Sequence, residues 1–85
     1  MVKNEHGERK YFAPAPKMIY ENAAGGHYGC IASFADCSAL MINIKSGWRC
    51  MCNGIGMYDD GTIDWNYSKG GEFAEVPEHF KGAIA

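Results

Sequence analysis

The amino-acid sequence predicts an all-β fold with minor helical content. We expect a small antiparallel meander of five to six short strands, curled or barrel-like, with a flexible N-terminal arm and a short C-terminal helical turn. Runs of β-type residues alternate with glycine-bearing turns. No segment between the runs is long enough for the helical crossover that parallel strands need. The chain has 85 residues, 47% of them apolar, which suffices for one small core but not for two.

The N-terminal segment differs in composition from the rest. Residues 1–17 contain Ala13-Pro14-Ala15-Pro16 and mixed charges, without a periodic apolar pattern. Such a segment is typical of a mobile or extended arm. The adjacent rings of Tyr11 and Phe12 favour anchoring of this arm to its own domain. Residues 18–85 are predicted to form the single β domain.

The first three strands follow the arm. β-type runs at residues 18–23 and 27–34 flank Ala24-Gly25-Gly26, whose glycines permit the positive φ angles of a hairpin. Apolar and polar side chains alternate over residues 38–45, which predicts a half-buried strand. Residues 35–41 leave two alternatives open, because a loop or a short capped helix fits them.

A turn and a bend delimit the next strand. Ser46-Gly47 suits a two-residue turn into a strand on which Trp48, Cys50 and Cys52 share a face. Gly54-Ile55-Gly56 then interrupts the side-chain pattern. Glycines inside a strand usually mark a bulge or a sharp bend, so the sheet is predicted to curl at this point.

The last third of the chain contains the clearest hairpin. Residues 58–62 fit a type I turn closed by a glycine bulge, which leads into a strand at residues 63–67. Lys69-Gly70-Gly71 predicts another turn into a strand at residues 72–76. Residues 77–81 are predicted to form one helical turn, because proline is tolerated at its first position.

The charge distribution favours a protein partner over a nucleic acid. The net charge is −2, with +2 on residues 1–17 and −4 from residue 59 onward, where six acidic residues face two basic ones. Binding to phosphates requires clustered lysine and arginine, which the predicted domain lacks, so no direct nucleic-acid contact is expected. An acidic end instead suits a partner with a basic surface.

No membrane segment is predicted. The longest apolar run, residues 39–42, has four residues, whereas a membrane span needs about 18 or more. Residues 1–10 also lack the apolar stretch of a secretory signal. We therefore expect a cytoplasmic protein without a membrane partner.

The one candidate metal site consists of four cysteines: Cys30, Cys37, Cys50 and Cys52. Same-face residues on an extended strand stand about 6.6 Å apart, whereas two thiolates on one zinc stand about 3.8 Å apart. Four free, buried thiols are therefore the favoured interpretation, and neither a cofactor nor a metal is expected. A zinc-stabilised binding module using the four cysteines is an alternative, and disulfides are disfavoured in a reducing compartment.

No catalytic residues are predicted. His27 and Cys30 resemble a nucleophile and its base, but residues three apart on a strand point to opposite faces. The protein is therefore not expected to be an enzyme. A second alternative is a small-ligand binder or enzyme in which the bend at residues 54–56 forms a pocket wall.

The aromatic residues support the leading hypothesis, which is a non-enzymatic protein–protein interaction domain. Nine large rings follow the arm, more than so small a core can bury, so some rings must be exposed. Exposed aromatic residues supply much of the energy at recognition surfaces. Such a domain suits a stoichiometric inhibitor from a phage or mobile element that acts on a host protein. Pairing with a second copy is another way to cover its strand edges. The predicted partner-binding residues are three aromatic anchors and an acidic rim: Trp48, Tyr58, Trp65, Asp59, Asp60 and Asp64.

Overall fold

A computed structural model describes residues 8–82 and confirms the all-β prediction. Strands dominate, and a single 3₁₀ turn, Glu78–Phe80, lies near the C-terminus of the described part. None of its helical segments has the length and apolarity to cross a membrane. In chain order the described strands are β1 (Lys10–Tyr11), β2 (Ile19–Glu21), β3 (His27–Phe34), β4 (Ser38–Asn43), β5 (Trp48–Asn53), β6 (Gly56–Met57), β7 (Ile63–Asp64) and β8 (Tyr67–Phe73).

The strands form two antiparallel sheets. The larger sheet has the order β2-β3-β4-β5-β8, and the smaller has the order β1-β6-β7. One parallel bridge between Asn22 and Ile63 joins them, and the Ala23 N–H donates to the Ile63 carbonyl at 2.9 Å. The two sheets are not closed into a barrel, so the barrel-like alternative is not what forms. Strand β8 is consequently an edge strand, and every one of its residues is exposed.

Part of the predicted N-terminal arm belongs to the fold. Lys10–Tyr11 pairs with β6. The Phe12 ring packs edge-to-face on Tyr20 with centroids 5.2 Å apart, and Pro14 is buried. A two-residue strand has too few positions to show an apolar alternation, so the sequence pattern did not reveal it. Residues 1–7 of the predicted arm lie outside the described residues.

The core lies between the two sheets and consists mainly of small side chains. Cys30, Met41 and Cys50 lie in one row across β3, β4 and β5, and Ala39 pairs with Cys52 in the next row. Ile55 and Ile63 complete this cluster from the side of the smaller sheet. Rings pack around the cluster and are only partly buried: Phe12, Tyr20, Tyr28 and Trp65.

The C-terminal turn covers the second face of the larger sheet. Phe80 is 1% exposed and lies against Gly29, where a Cβ would come within 2.6 Å of the ring. Ile42 is in register with Gly29 and is also fully buried. Strand β4 is therefore buried on both faces, with Met41 in the core and Ile42 on the opposite face. The prediction of a half-buried strand is wrong, because alternation alone does not reveal a cover supplied by distant residues.

The predicted turn at residues 69–71 is also wrong. Gly70 and Gly71 lie inside β8, with φ angles of 68° and 132°. The pairing of β8 with β5 shifts register opposite Arg49 and Met51, as expected of a bulge. A glycine pair supplies positive φ to a turn or to a bulge, so composition did not separate the two.

We predict that Phe80→Ala destabilises the domain by about 3–5 kcal/mol, because it removes a buried ring and leaves a cavity over Gly29. The matched control is Phe73→Ala. Phe73 is 73% exposed, so its removal should cost about 1 kcal/mol or less. Urea unfolding measures both variants. A loss below about 1 kcal/mol for Phe80→Ala would contradict the described packing.

Candidate functional site

The three predicted aromatic anchors differ in exposure. Tyr58 is only 7% exposed and belongs to the interior. Trp65 is partly buried, and its ring packs edge-to-face on Tyr28 with centroids 5.1 Å apart. Trp48 is 37% exposed. Of the three, Trp48 is therefore the most exposed.

Two of the three predicted acidic residues, Asp60 and Asp64, stabilise local structure in or beside the smaller sheet. Asp59 and Asp60 are exposed in the turn between β6 and β7. The Asp60 carboxylate accepts hydrogen bonds from the Thr62 N–H at 2.9 Å and the Thr62 hydroxyl at 2.6 Å. The Asp64 carboxylate accepts the Trp65 N–H at 2.9 Å. These residues lie on or beside a different sheet from Trp48, so the structure does not assemble the six predicted residues into one site.

An aromatic pair lies at one end of β5 and β8 instead. Trp48 and Phe73 are directly opposite in the pairing, and their rings pack edge-to-face with centroids 5.1 Å apart. The indole also lies against Gly71, where no room remains for a Cβ. Phe73 is 73% exposed. We call the pair Trp48 and Phe73 the aromatic edge.

The sequence did not single out Phe73. A phenylalanine in a run of strand residues is normally assigned to a core face. The glycines and charged residues around it, Lys69-Gly70-Gly71-Glu72, are typical of a protected edge strand. That local composition is the signal from which its exposure could have been inferred.

Three glutamates, Glu72 in β8 and Glu75 and Glu78 beyond it, form exposed ion pairs within the chain. Glu72 forms an ion pair with Arg49, and its side chain remains 59% exposed. The Glu75 and Glu78 carboxylates lie 3.7 Å and 3.6 Å from the Lys81 ammonium group. Exposed ion pairs of this kind contribute only about 0–1 kcal/mol. The three carboxylates therefore remain able to pair with basic groups of a partner.

An open groove lies at the opposite end of β5 and β8. Its volume is about 560 Å³, within the range of ligand pockets. Gly54 contributes to its wall, as the small-ligand alternative requires of the bend at residues 54–56. The other polar and aromatic groups come from β1, from the loop between β3 and β4 with the first residue of β4, from the end of β5, and from the start of β8 with the residue before it. They are Tyr11, Asp36, Ser38, Asn53, Asn66 and Tyr67.

The loop between β3 and β4 and the first residue of β4 place Asp36 and Ser38 at the groove. Asp36 and Cys37 both have left-handed backbone conformations, with φ angles of 62° and 57°. Each such residue other than glycine costs about 1–2 kcal/mol. The Cys37 carbonyl accepts the Ile55 N–H at 2.9 Å, and Ser38 bonds to the Asn53 side chain at 3.1 Å. These two bonds hold the loop against the groove.

The four cysteines do not converge. Cys30, Cys50 and Cys52 are buried in the core, whereas Cys37 is partly exposed in the loop. Within residues 8–82 no three cysteine, histidine or acidic side chains come together as a metal site. The Cys50 and Cys52 sulfurs nevertheless lie 3.8 Å apart. The argument that strand geometry separates this pair is wrong, because the side chains incline towards each other above the extended backbone.

The buried thiols are poor nucleophiles and poor metal ligands in this state. Burial raises the pKa of the Cys30 thiol. Burial and the neighbouring Cys50 thiol raise the pKa of Cys52. Because the reactive and metal-binding form is the thiolate, a raised pKa disfavours both roles.

We predict that Cys37 alone reacts rapidly with a thiol reagent in the folded protein, because the other cysteines are buried and two have raised pKa values. Mass spectrometry of peptides after brief alkylation identifies the modified residue. Alkylation in urea should label all four cysteines. Equal labelling of Cys37 and Cys52 without denaturant would refute the described burial.

We also predict that stability falls at alkaline pH. The folded-state pKa of Cys52 is raised, so the folded chain retains this thiol proton to higher pH than the unfolded chain. The contribution of the protonated Cys52 thiol to the free energy of unfolding is complete below the ordinary thiol pKa of 9.0 and is lost as the pH rises above it. Urea unfolding between about pH 8 and pH 10.5 should show that the free energy of unfolding falls less with pH for Cys52→Ala than for the parent. Equal slopes would contradict this assignment.

The described surface thus presents two sites with different chemistry at opposite ends of β5 and β8. The aromatic edge is apolar and lies next to Glu72 in β8, and the groove is polar with tyrosine walls. No protein-family model matches the chain, and no significant match was found among curated proteins or solved structures.

Proposed function

We propose that the protein is a non-enzymatic recognition domain that binds another protein through the aromatic edge. One observation carries the proposal: Phe73 is 73% exposed and is held by an edge-to-face contact with Trp48. The contact with Trp48 covers only part of the Phe73 ring, and the remainder contributes little to the stability of the domain while it faces water. A partner that covers this ring gains the free energy of its burial.

The geometry of the aromatic edge suits a binding anchor. Trp48 and Phe73 belong to paired strands, and the absence of a side chain at Gly71 leaves room for the indole. The rings are therefore ordered before binding, so docking loses little side-chain entropy. Large aromatic residues in such positions are common among the few residues that dominate binding energy.

The charges beside the aromatic edge favour a basic partner surface. Glu72 and Glu75 flank Phe73 in the sequence, and both side chains are mainly exposed. Complementary charge at the rim of an interface accelerates association and selects the partner. This support is independent of Asp59, Asp60 and Asp64, which the sequence analysis had assigned to the rim.

The edge of β8 favours a different protein, rather than a second copy of this chain, as the partner. Strand β8 offers an unpaired edge, but Gly70 and Gly71 introduce a bulge beside Lys69. Bulges and edge lysines disfavour continuation of a sheet into another molecule. We therefore propose docking through side chains. A domain that acts in this way occupies its target one to one, which fits an inhibitor supplied by a phage or mobile element.

We predict that Phe73→Ala abolishes partner binding while the domain stays folded. The tagged full-length chain is used to capture proteins from lysate of its source cell, and quantitative mass spectrometry compares the parent with the variant. The amount of a partner captured by the parent should fall at least about tenfold with Phe73→Ala, because a buried anchor contributes more than about 1.4 kcal/mol to the binding free energy.

The matched control is Phe34→Ala, which removes another exposed phenylalanine, 50% exposed, at the far end of β3. It should leave capture unchanged. Native mass spectrometry of the complex should show one copy of each protein. Identical captured proteins for the parent and Phe73→Ala would refute the aromatic edge as the binding site.

A further inference from the structure

We infer that the groove at the other end of β5 and β8 binds the guanidinium group of an arginine side chain on a protein partner. The inference depends on the proposed function only for the source of the arginine. Three observations carry it: an unpaired carboxylate at the groove, two exposed tyrosine rings, and two cationic side chains of this chain that already contact groove-lining residues.

The carboxylate belongs to Asp36. It is exposed and forms no ion pair or side-chain hydrogen bond with any residue in the described range 8–82. The left-handed conformation of Asp36 and Cys37 and the bond from the Ile55 N–H to the Cys37 carbonyl hold the backbone of this loop beside the groove. The carboxylate offers two oxygens to the paired N–H groups of a guanidinium.

The tyrosine rings supply a second kind of contact. Tyr11 is 73% exposed and Tyr67 is 54% exposed, and neither stacks on another ring in the described part of the chain. The face of an aromatic ring attracts a cation, and arginine makes such contacts more often than lysine.

The chain itself shows that these walls accept cations. The Lys69 ammonium group lies 5.9 Å from the centre of the Tyr67 ring. The Arg9 guanidinium donates a hydrogen bond to the Asn66 side-chain oxygen. Two cation-accepting groups, the Asp36 carboxylate and the Tyr11 ring, remain without such a partner among the described residues.

Other ligand classes fit less well. The described groove-lining side chains include no lysine or arginine, and the Asp36 carboxylate would repel a phosphate or other anion. The two cations beside the walls, Arg9 and Lys69, are already paired with Asn66 and with the Tyr67 ring. An apolar ligand would cover the polar groups of Ser38, Asn53 and Asn66. Arginine is preferred to lysine, because its planar group both stacks on a ring and forms paired hydrogen bonds. Lys69 opposes an incoming cation, although water screens this repulsion.

The experiment titrates the full chain with N-acetyl-L-arginine amide and follows two-dimensional amide NMR spectra. Saturable shifts should centre on residues 36, 37, 54 and 67, with a dissociation constant in the millimolar range. The neutral isostere N-acetyl-L-citrulline amide should bind at least about fivefold more weakly. Equal binding of the two probes overturns the proposal, and so does the absence of saturable shifts. If free arginine binds more than about tenfold more tightly than the blocked probe, the ligand is the free amino acid and not an arginine side chain of a protein, which overturns that part of the proposal.

Variants test the assigned groups. Asp36→Asn should remove the preference for arginine over citrulline, whereas the control Asp59→Asn, in another exposed turn, should preserve it. Lys69→Gln should strengthen binding of the arginine probe. An unchanged preference in Asp36→Asn overturns the assignment. Phe73→Ala should not alter the response to the probe, so failure of this proposal is distinguishable from failure of the proposed function.

Discussion

The size of the core side chains determines what the rest of the structure can bury. Three of the seven clustered core residues are cysteines and a fourth is alanine, and none is aromatic. These mostly small side chains fill the cluster between the two sheets. Buried cysteine behaves as a small apolar side chain, which is the role that these thiols have here. Of the rings, Tyr58 and Phe80 are buried outside the cluster, and the others pack around it or lie on the surface.

The two sites are consequences of that constraint. Phe80 finds a buried position only on the opposite face of the sheet, where Gly29 leaves space for it. Phe73 and Tyr67, at the two ends of the edge strand, have no comparable cover. Aromatic surface that the fold cannot bury is available for recognition. We propose that Glu72 near one end and Asp36 near the other favour basic groups of a partner at both sites.

Local sequence patterns predicted strands better than they predicted exposure. The run at residues 27–34 matches β3, and the C-terminal helical turn was placed correctly, because proline, glycine and β-type residues act locally. The burial of Tyr58 and the exposure of Phe73 depend on which strands become edges, and this is a property of the whole sheet order. The groove was only partly foreseen. The bend at Gly54 has a sequence signature, whereas the approach of Tyr11 to Tyr67 joins residues distant in the chain.

Hydrogen–deuterium exchange of the protein, with and without its captured partner, tests whether the partner binds at the aromatic edge. Amides on the unpaired edge of β8 should exchange rapidly in the free protein, because no strand covers them. The account predicts that the partner slows exchange across Tyr67–Phe73 and at Trp48, while the turn at Asp59 and Asp60 is unaffected. Protection centred on that turn, with unchanged exchange in β8, would contradict it.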